Sequence, residues 1–119
     1  MQNKIKQRLL TFSEAINEAL TQEMSKDKSV LIFGLGVTDP KSVFSTTKNL
    51  FKKFGEQRVF EIPLSENAIT GVCLGASLNG FKPILSHQRV EFSLVAMEQI
   101  INQIAKWNFM ILQIHEYLI

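Results

Sequence analysis

The chain holds 119 residues, 45% apolar and 20% charged, with a formal net charge of +2: room for one small domain with a core, too little for two, and too apolar to stay disordered. Lys and Arg are scattered, apart from Lys4, Lys6 and Arg8 and the Lys52–Lys53 pair, and no reading motif accompanies them, which argues against a nucleic-acid partner. One cysteine, Cys73, excludes an internal disulfide, and neither a signal-peptide core nor a run of roughly 18 apolar residues is present, so a cytoplasmic protein without membrane contact is expected.

The first element is an amphipathic helix over residues 11–25. Phe12, Ala15, Ile16, Ala19, Leu20 and Met24 recur there at three- and four-residue steps. Ser13 with Glu14 supplies a cap and a first-turn acid. Val30–Leu31–Ile32–Phe33 is a continuous apolar run, as expected of a strand buried on both faces of a parallel sheet, and Gly34–Leu35–Gly36 turns out of it. Residues 42–54 form a second expected helix, with Val43, Phe44, Leu50, Phe51 and Phe54 as its apolar members and Gly55 as its stop.

Arg58–Ile62 reads as the second strand, closed by Pro63. Ser65–Glu66–Asn67 opens a third helix that runs to Leu78 and ends at Asn79–Gly80. Pro83–Ser86 is the third strand, and Phe92 to Ala105 a fourth helix. Residues Ile111–Ile119 fit a strand, a continued helix or a tail. The order α-β-α-β-α-β-α predicts an α/β three-layer sandwich with a mainly parallel sheet. So few strands leave the last one with an open edge unless another chain covers it.

Glu66 is the most informative acid. It follows a strand and stands in the first turn of a helix, at the carboxyl end of the sheet where open α/β folds bind ligands. A plain helix-capping acid is the simpler reading of that position. The third helix carries Ala68, Gly71, Gly75 and Ala76 at helical spacing. Internal glycines cost roughly 1 kcal/mol each against alanine, so something approaches closely: a neighbouring helix, a cofactor or a partner subunit. His87, Gln88 and Arg89 follow the third strand. An imidazole exchanges protons near neutral pH and a guanidinium clamps carboxylate or phosphate, although a polar loop explains the trio as well. Cys73 reads as a small core residue, His115 stands alone, and no set of residues has metal-ligand spacing. Walker, dinucleotide and nucleophile-elbow motifs are missing.

Four segments carry a family likeness: Phe12–Leu20, Lys53–Val59, Ile62–Gly71 and Phe92–Lys106. In order and spacing they resemble the N-terminal part of the beta subunit of pyruvate, branched-chain 2-oxo acid and acetoin dehydrogenases, within the transketolase-like pyrimidine-binding domains. The third segment is the most specific. The resemblance implies thiamine diphosphate as cofactor. It assigns Glu66 as the catalytic residue that hydrogen-bonds N1′ of the aminopyrimidine, Phe92 as the ring that packs on it, and Leu64, Ser65 and Asn67 as pocket neighbours. It also implies an alpha-type partner subunit that binds the diphosphate and its magnesium, a 2-oxo acid substrate, and homodimer contacts through the small-residue helix.

Three departures stand out. The family's Gly-Glu-Glu-Val after the first strand is here Gly34–Leu35–Gly36–Val37. Its Glu-Phe-Met-Thr-Phe-Asn-Phe is here Ser86–His-Gln-Arg-Val-Glu-Phe92, which places His87 and Arg89 where an acidic substrate would be met. The likeness ends near Met110, so the expectation is one partial domain over 1–119 with a divergent tail at 111–119, about 200 residues short of a two-domain subunit. Such a chain supplies half an active site and is expected to be inactive alone. The alternatives are another transketolase-like thiamine enzyme, or a catalytically silent fragment that acts only in oligomerisation.

Overall fold

The computed structural model describes residues 8–42 and 44–111. Helix α1 (Phe12–Lys26) leads into strand β1 (Val30–Gly34), followed by helix α2 (Leu50–Phe54), strand β2 (Val59–Phe60), helix α3 (Glu66–Leu78) and strand β3 (Lys82–Ser86). A wound segment closes the described chain, with 3₁₀ geometry over Val90–Ala96 and π geometry over Glu98–Ile104. The three strands are parallel, in the order β2-β1-β3. This is the expected α/β class with a parallel sheet.

The sheet register follows from side chains alternating across it. Ile32 pairs with Val59 on one side and Ile84 on the other, and Phe33 pairs with Phe60 and Leu85. Val30, Ile32 and Val59 join Met24 of α1, Leu50 of α2 and Val37 in one buried cluster, with Leu20, Phe54 and Ile84 packed at its border. The opposite face carries Phe33 and Phe60, stacked with ring centroids 4.9 Å apart. The crossover from β1 to β2 runs one way and that from β2 to β3 runs back past β1. With one hand for both, their helices lie on opposite faces, so α3 and the wound segment cover the second face. That cover is thin: Thr70 and Ala96 are buried, but Leu94 and Val95 are each 65% exposed.

Several elements differ from the sequence reading. The cap of α1 is Thr11, not Ser13: the Thr11 hydroxyl accepts from the Glu14 N–H, and the Glu14 carboxylate accepts from the Thr11 N–H at 2.8 Å. This reciprocal pair is a capping box. The helix expected over 42–54 is reduced to Leu50–Phe54. Ahead of it, Ser42, Ser45 and Asn49 take positive φ, and the Thr47 hydroxyl bonds the Ser42 hydroxyl at 2.9 Å. Short polar side chains compete for the backbone in this way and unmake helices. Of the expected helix members, Val43 lies outside the described residues and Phe44 is exposed.

Strand β2 is two residues long rather than five: the chain leaves the ladder after Phe60 and runs irregularly through Pro63, which has no N–H to pair. The fourth helix is wound but not α. Its apolar side chains find little to pack on, and most of a helix's stability comes from packing an amphipathic face. Of the C-terminal stretch, residue 111 ends a helical turn over 107–111, and residues 112–119, His115 among them, lie outside the described part.

The amino ends of the strands are tied together by charge. Arg58 donates from Nε and Nη2 to the Val30 carbonyl (3.1 and 2.7 Å) and from Nη2 to the Asp27 carbonyl at 2.8 Å. Lys82 Nζ reaches Asp27 Oδ2 at 2.7 Å, and Ser29 donates to Oδ1 from its N–H and its hydroxyl. The Lys82 ammonium and then the Ser29 donors hold the Asp27 carboxyl far below its ordinary range.

Candidate active-site cleft

The other end of the sheet is built differently. The carboxyl ends of all three strands open into one cleft lined by Leu35 after β1, by Ile62, Pro63, Leu64, Ser65 and Glu66 after β2, by Leu85, Ser86, His87 and Gln88 around the end of β3, and by Phe92. This is the place where open parallel sheets take ligands. Gly34 makes it possible. A Cβ at this position would stand 2.3 Å from the Ser86 carbonyl oxygen, so only glycine lets the ends of β1 and β3 approach this closely.

Glu66 is the first residue of α3, half-buried on the wall of the cleft. Among the described residues its carboxylate has neither a hydrogen-bond donor nor a cation beside it. Its main-chain carbonyl accepts from Thr70 Oγ1 at 2.7 Å. Ser65 precedes it as the N-cap but makes no capping bond, so first-turn N–H groups of α3 lack that partner. Phe92 is half-buried in the wall, with the Arg89 guanidinium 4.8 Å from its ring centroid. Arg89 also pairs with Glu91 at 3.1 Å. Leu64 stands at the rim, 72% exposed.

The structure therefore brings Leu64, Ser65, Glu66, His87 and Phe92 together in one cleft. Arg89 and Asn67 do not line it: Arg89 turns onto Phe92 and Glu91, and Asn67 is exposed. The apolar walls Leu35, Ile62 and Leu85 were not legible as site residues, although each stands at or just past the end of a strand, whereas Gln88 of the trio after β3 does reach the cleft's edge. Glu61 was missed as well. Its carboxylate accepts from the Gly36 N–H (2.8 Å), the Thr38 N–H (3.0 Å) and the Thr38 hydroxyl (2.7 Å). Partial burial works against its charge, but these donors outweigh it and lower its pKa. Among the described residues no group of His, Cys, Asp and Glu can hold a metal ion, and no helix is long and apolar enough to cross a membrane.

A family model for the transketolase pyrimidine-binding domain matches residues 8–115. The chain belongs to that family. Over 100 residues it is 40% identical to the pyruvate dehydrogenase E1 component subunit beta of Staphylococcus epidermidis, covering 84% of this chain and 31% of that one. It is 40% identical over 101 residues to the 2-oxoisovalerate dehydrogenase subunit beta of Bacillus subtilis, covering 85% of this chain and 31% of the relative. A mitochondrial pyruvate dehydrogenase beta-2 subunit from Oryza sativa is 38% identical over 101 residues, covering 85% of this chain and 27% of its own. The chain thus spans about a third of the length of the curated relatives it matches. The resemblance drawn from the four segments and the pyrimidine-binding domain match the same stretch of chain.

Proposed function

We propose that this chain binds the aminopyrimidine of thiamine diphosphate and forms the beta-subunit half of the active site of a 2-oxo acid decarboxylating dehydrogenase. The observation that carries the reading is the Glu66 carboxylate, half-buried at the head of α3 in a cleft with apolar walls and a few polar side chains, and without a partner among the described residues. A carboxyl group in such a place gains most from a ligand atom that shares a proton with it.

The cleft residues fit the group. A flat heteroaromatic ring needs an apolar slot and a few polar contacts at its edge. Leu35, Ile62, Leu85 and Phe92 offer the slot, and Ser65, Ser86 and Gln88 stand at its polar edge. When bound, thiamine diphosphate supplies the carbanion that attacks a 2-oxo acid and stabilises the product of decarboxylation. Glu66 holds the proton shared with N1′ of the ring. Phe92 packs on the ring, while Leu64 and Ser65 close the rim. His87 reaches the cleft from the β3 side and meets the substrate's carboxylate.

As the family resemblance implies, the diphosphate and its magnesium fall to an alpha-type partner subunit. Ala68, Val72 and Gly75 form an open face of α3, and among the described residues nothing beyond the helix's own backbone and the neighbours of Gly75 lies within 4 Å of a Cβ built on Gly75. That face is the place for contact with a second copy of the chain. The cytoplasm is the compartment we assign.

The test is calorimetric titration of thiamine diphosphate with magnesium into this chain alone and into its mixture with a candidate alpha-type subunit. Binding that appears only in the mixture and weakens at least tenfold in Glu66→Ala, the scale of one hydrogen bond to a charged group, supports the reading. Equal binding by parent and variant refutes it.

A further inference from the structure

We infer that Glu61 is a positioning residue for the cleft: from the end of β2 it locks the loop after β1, and so fixes the wall that Leu35 contributes. The inference rests on the proposed cofactor reading for its ligand, but not for its geometry.

Leu35 belongs to a four-residue turn, 35–38, that leaves β1 where Gly34 meets Ser86. A glycine at each of positions 34 and 36 leaves this turn little intrinsic stiffness, and Gly36 has φ of 77°. Two side chains from other strands restrain it. On one side the Glu61 carboxylate takes three donors at once, from Gly36 and Thr38, with one carboxylate oxygen on each end of the turn. On the other side Gln88 Nε2 reaches the Leu35 carbonyl at the long distance of 3.4 Å. The Glu61 contacts are shorter and involve a charge, so they dominate. Leu35 takes the Gln88 contact on its own carbonyl, is bonded in sequence to the Gly36 that Glu61 holds, and lines the cleft together with Glu66.

Glu61 itself is exposed at the surface and is not among the cleft-lining residues. Its action on a ligand therefore passes through the turn. Removing the carboxylate leaves two N–H groups and a hydroxyl to water and frees the turn to sample other conformations, so a ligand must order it on binding. The ordering cost appears as lost affinity while the fold is retained.

The experiment compares the parent chain with Glu61→Ala, Glu61→Gln and Thr38→Val, alone and mixed with the candidate alpha-type subunit. Amide hydrogen exchange is followed at Gly36 and Thr38, with Ile32 and Phe33 of β1 as internal controls for folding. Thiamine diphosphate with magnesium is titrated in parallel. In Glu61→Ala the two loop amides are expected to exchange about tenfold faster with the β1 amides unchanged, and the cofactor to bind about tenfold more weakly, the scale of one charged hydrogen bond. Glu61→Gln keeps an acceptor oxygen and restores part of both effects. Thr38→Val loses only the hydroxyl contact and gives a smaller change in the same direction. Unchanged exchange at Gly36 and Thr38 in Glu61→Ala overturns the lock, and freed amides with affinity within twofold of the parent overturn its role in the cleft. If the parent does not bind the cofactor at all while Glu61→Ala still frees the amides, the lock stands and the thiamine reading fails.

Discussion

The two ends of the sheet are built on opposite terms. At the amino end every charged group named has its partner: Asp27 has Lys82 and Ser29, and Arg58 has the carbonyls of Asp27 and Val30. At the carboxyl end Glu66 stands in the cleft wall with no partner among the described residues, beside an N-cap that does not cap. Satisfied polar groups hold strands in place, whereas an unsatisfied one waits for a ligand. The paired charges of the amino end and the unpartnered acid of the proposed site thus stand at opposite ends of the same strands.

That contrast is broken or sharpened by substitution, measured as urea unfolding and cofactor titration on each variant. Arg58→Ala carries the largest expected effect. It removes charged donors from two half-buried carbonyls and a cation 5.2 Å from the Phe54 ring centroid, and a loss of about 3 kcal/mol of stability is expected. A loss under about 1 kcal/mol would show that the amino end is not the clamp described.

Gly34→Ala is the deliberate exception, since it lies at the cleft end yet carries structural weight. Its new methyl group meets the backbone of Ser86 rather than a flexible side chain, so β1 or β3 must shift, at about 2 kcal/mol. The shift displaces His87 and Gln88, and cofactor affinity is expected to fall with stability. A variant of parental stability would mean that the strand ends separate freely.

Asp27→Asn tests the amino end through pH. The Asp27 carboxyl titrates below its unfolded value of about 3.9. A carboxyl lowered by folding contributes stability that is present above the unfolded pKa and lost as pH falls through the folded one. The stability difference between parent and Asp27→Asn is therefore expected to be constant above about pH 5 and to shrink as the pH drops below about 4. A difference that persists unchanged at pH 3 would place the cause elsewhere. Glu66→Ala is the smallest expected effect on the fold, within about 0.5 kcal/mol, although it removes the group on which the proposed binding depends. A strongly destabilised Glu66→Ala would make the acid a structural cap after all.

What the sequence revealed divides along physical lines. The strand at 30–33 was legible because a run buried on both faces is apolar throughout, and the helix ending at Leu78 because Asn79–Gly80 closes it. Glu66 and Phe92 were picked out through residue patterns long enough to be specific, and both line the cleft. The helix at 42–54 was overread, because apolar spacing does not register the hydroxyls of Ser42 and Thr47, which bond each other instead. Ser13 was taken for Thr11 because a cap is fixed by its hydrogen bonds, not by residue type alone. Arg89 was placed in the cleft because strand-end position does not say which way a long side chain turns. Glu61 left no signal at all, since its partners Gly36 and Thr38 come from another strand's loop.

Strand order has a consequence for how this chain comes together. β1 is made first and lies in the middle, so it needs β2 and β3 on its two sides, and Val30 must wait for Lys82. Between those moments during synthesis, which proceeds at roughly 5–20 residues per second, Val30–Gly34 exists as an apolar ribbon with both edges open. In the folded chain α1 covers one face of it through Leu20 and Met24. The helix that precedes β1 in the chain is thus the first available cover for that strand, and weakening α1 is expected to leave the buried face of the central strand open to water.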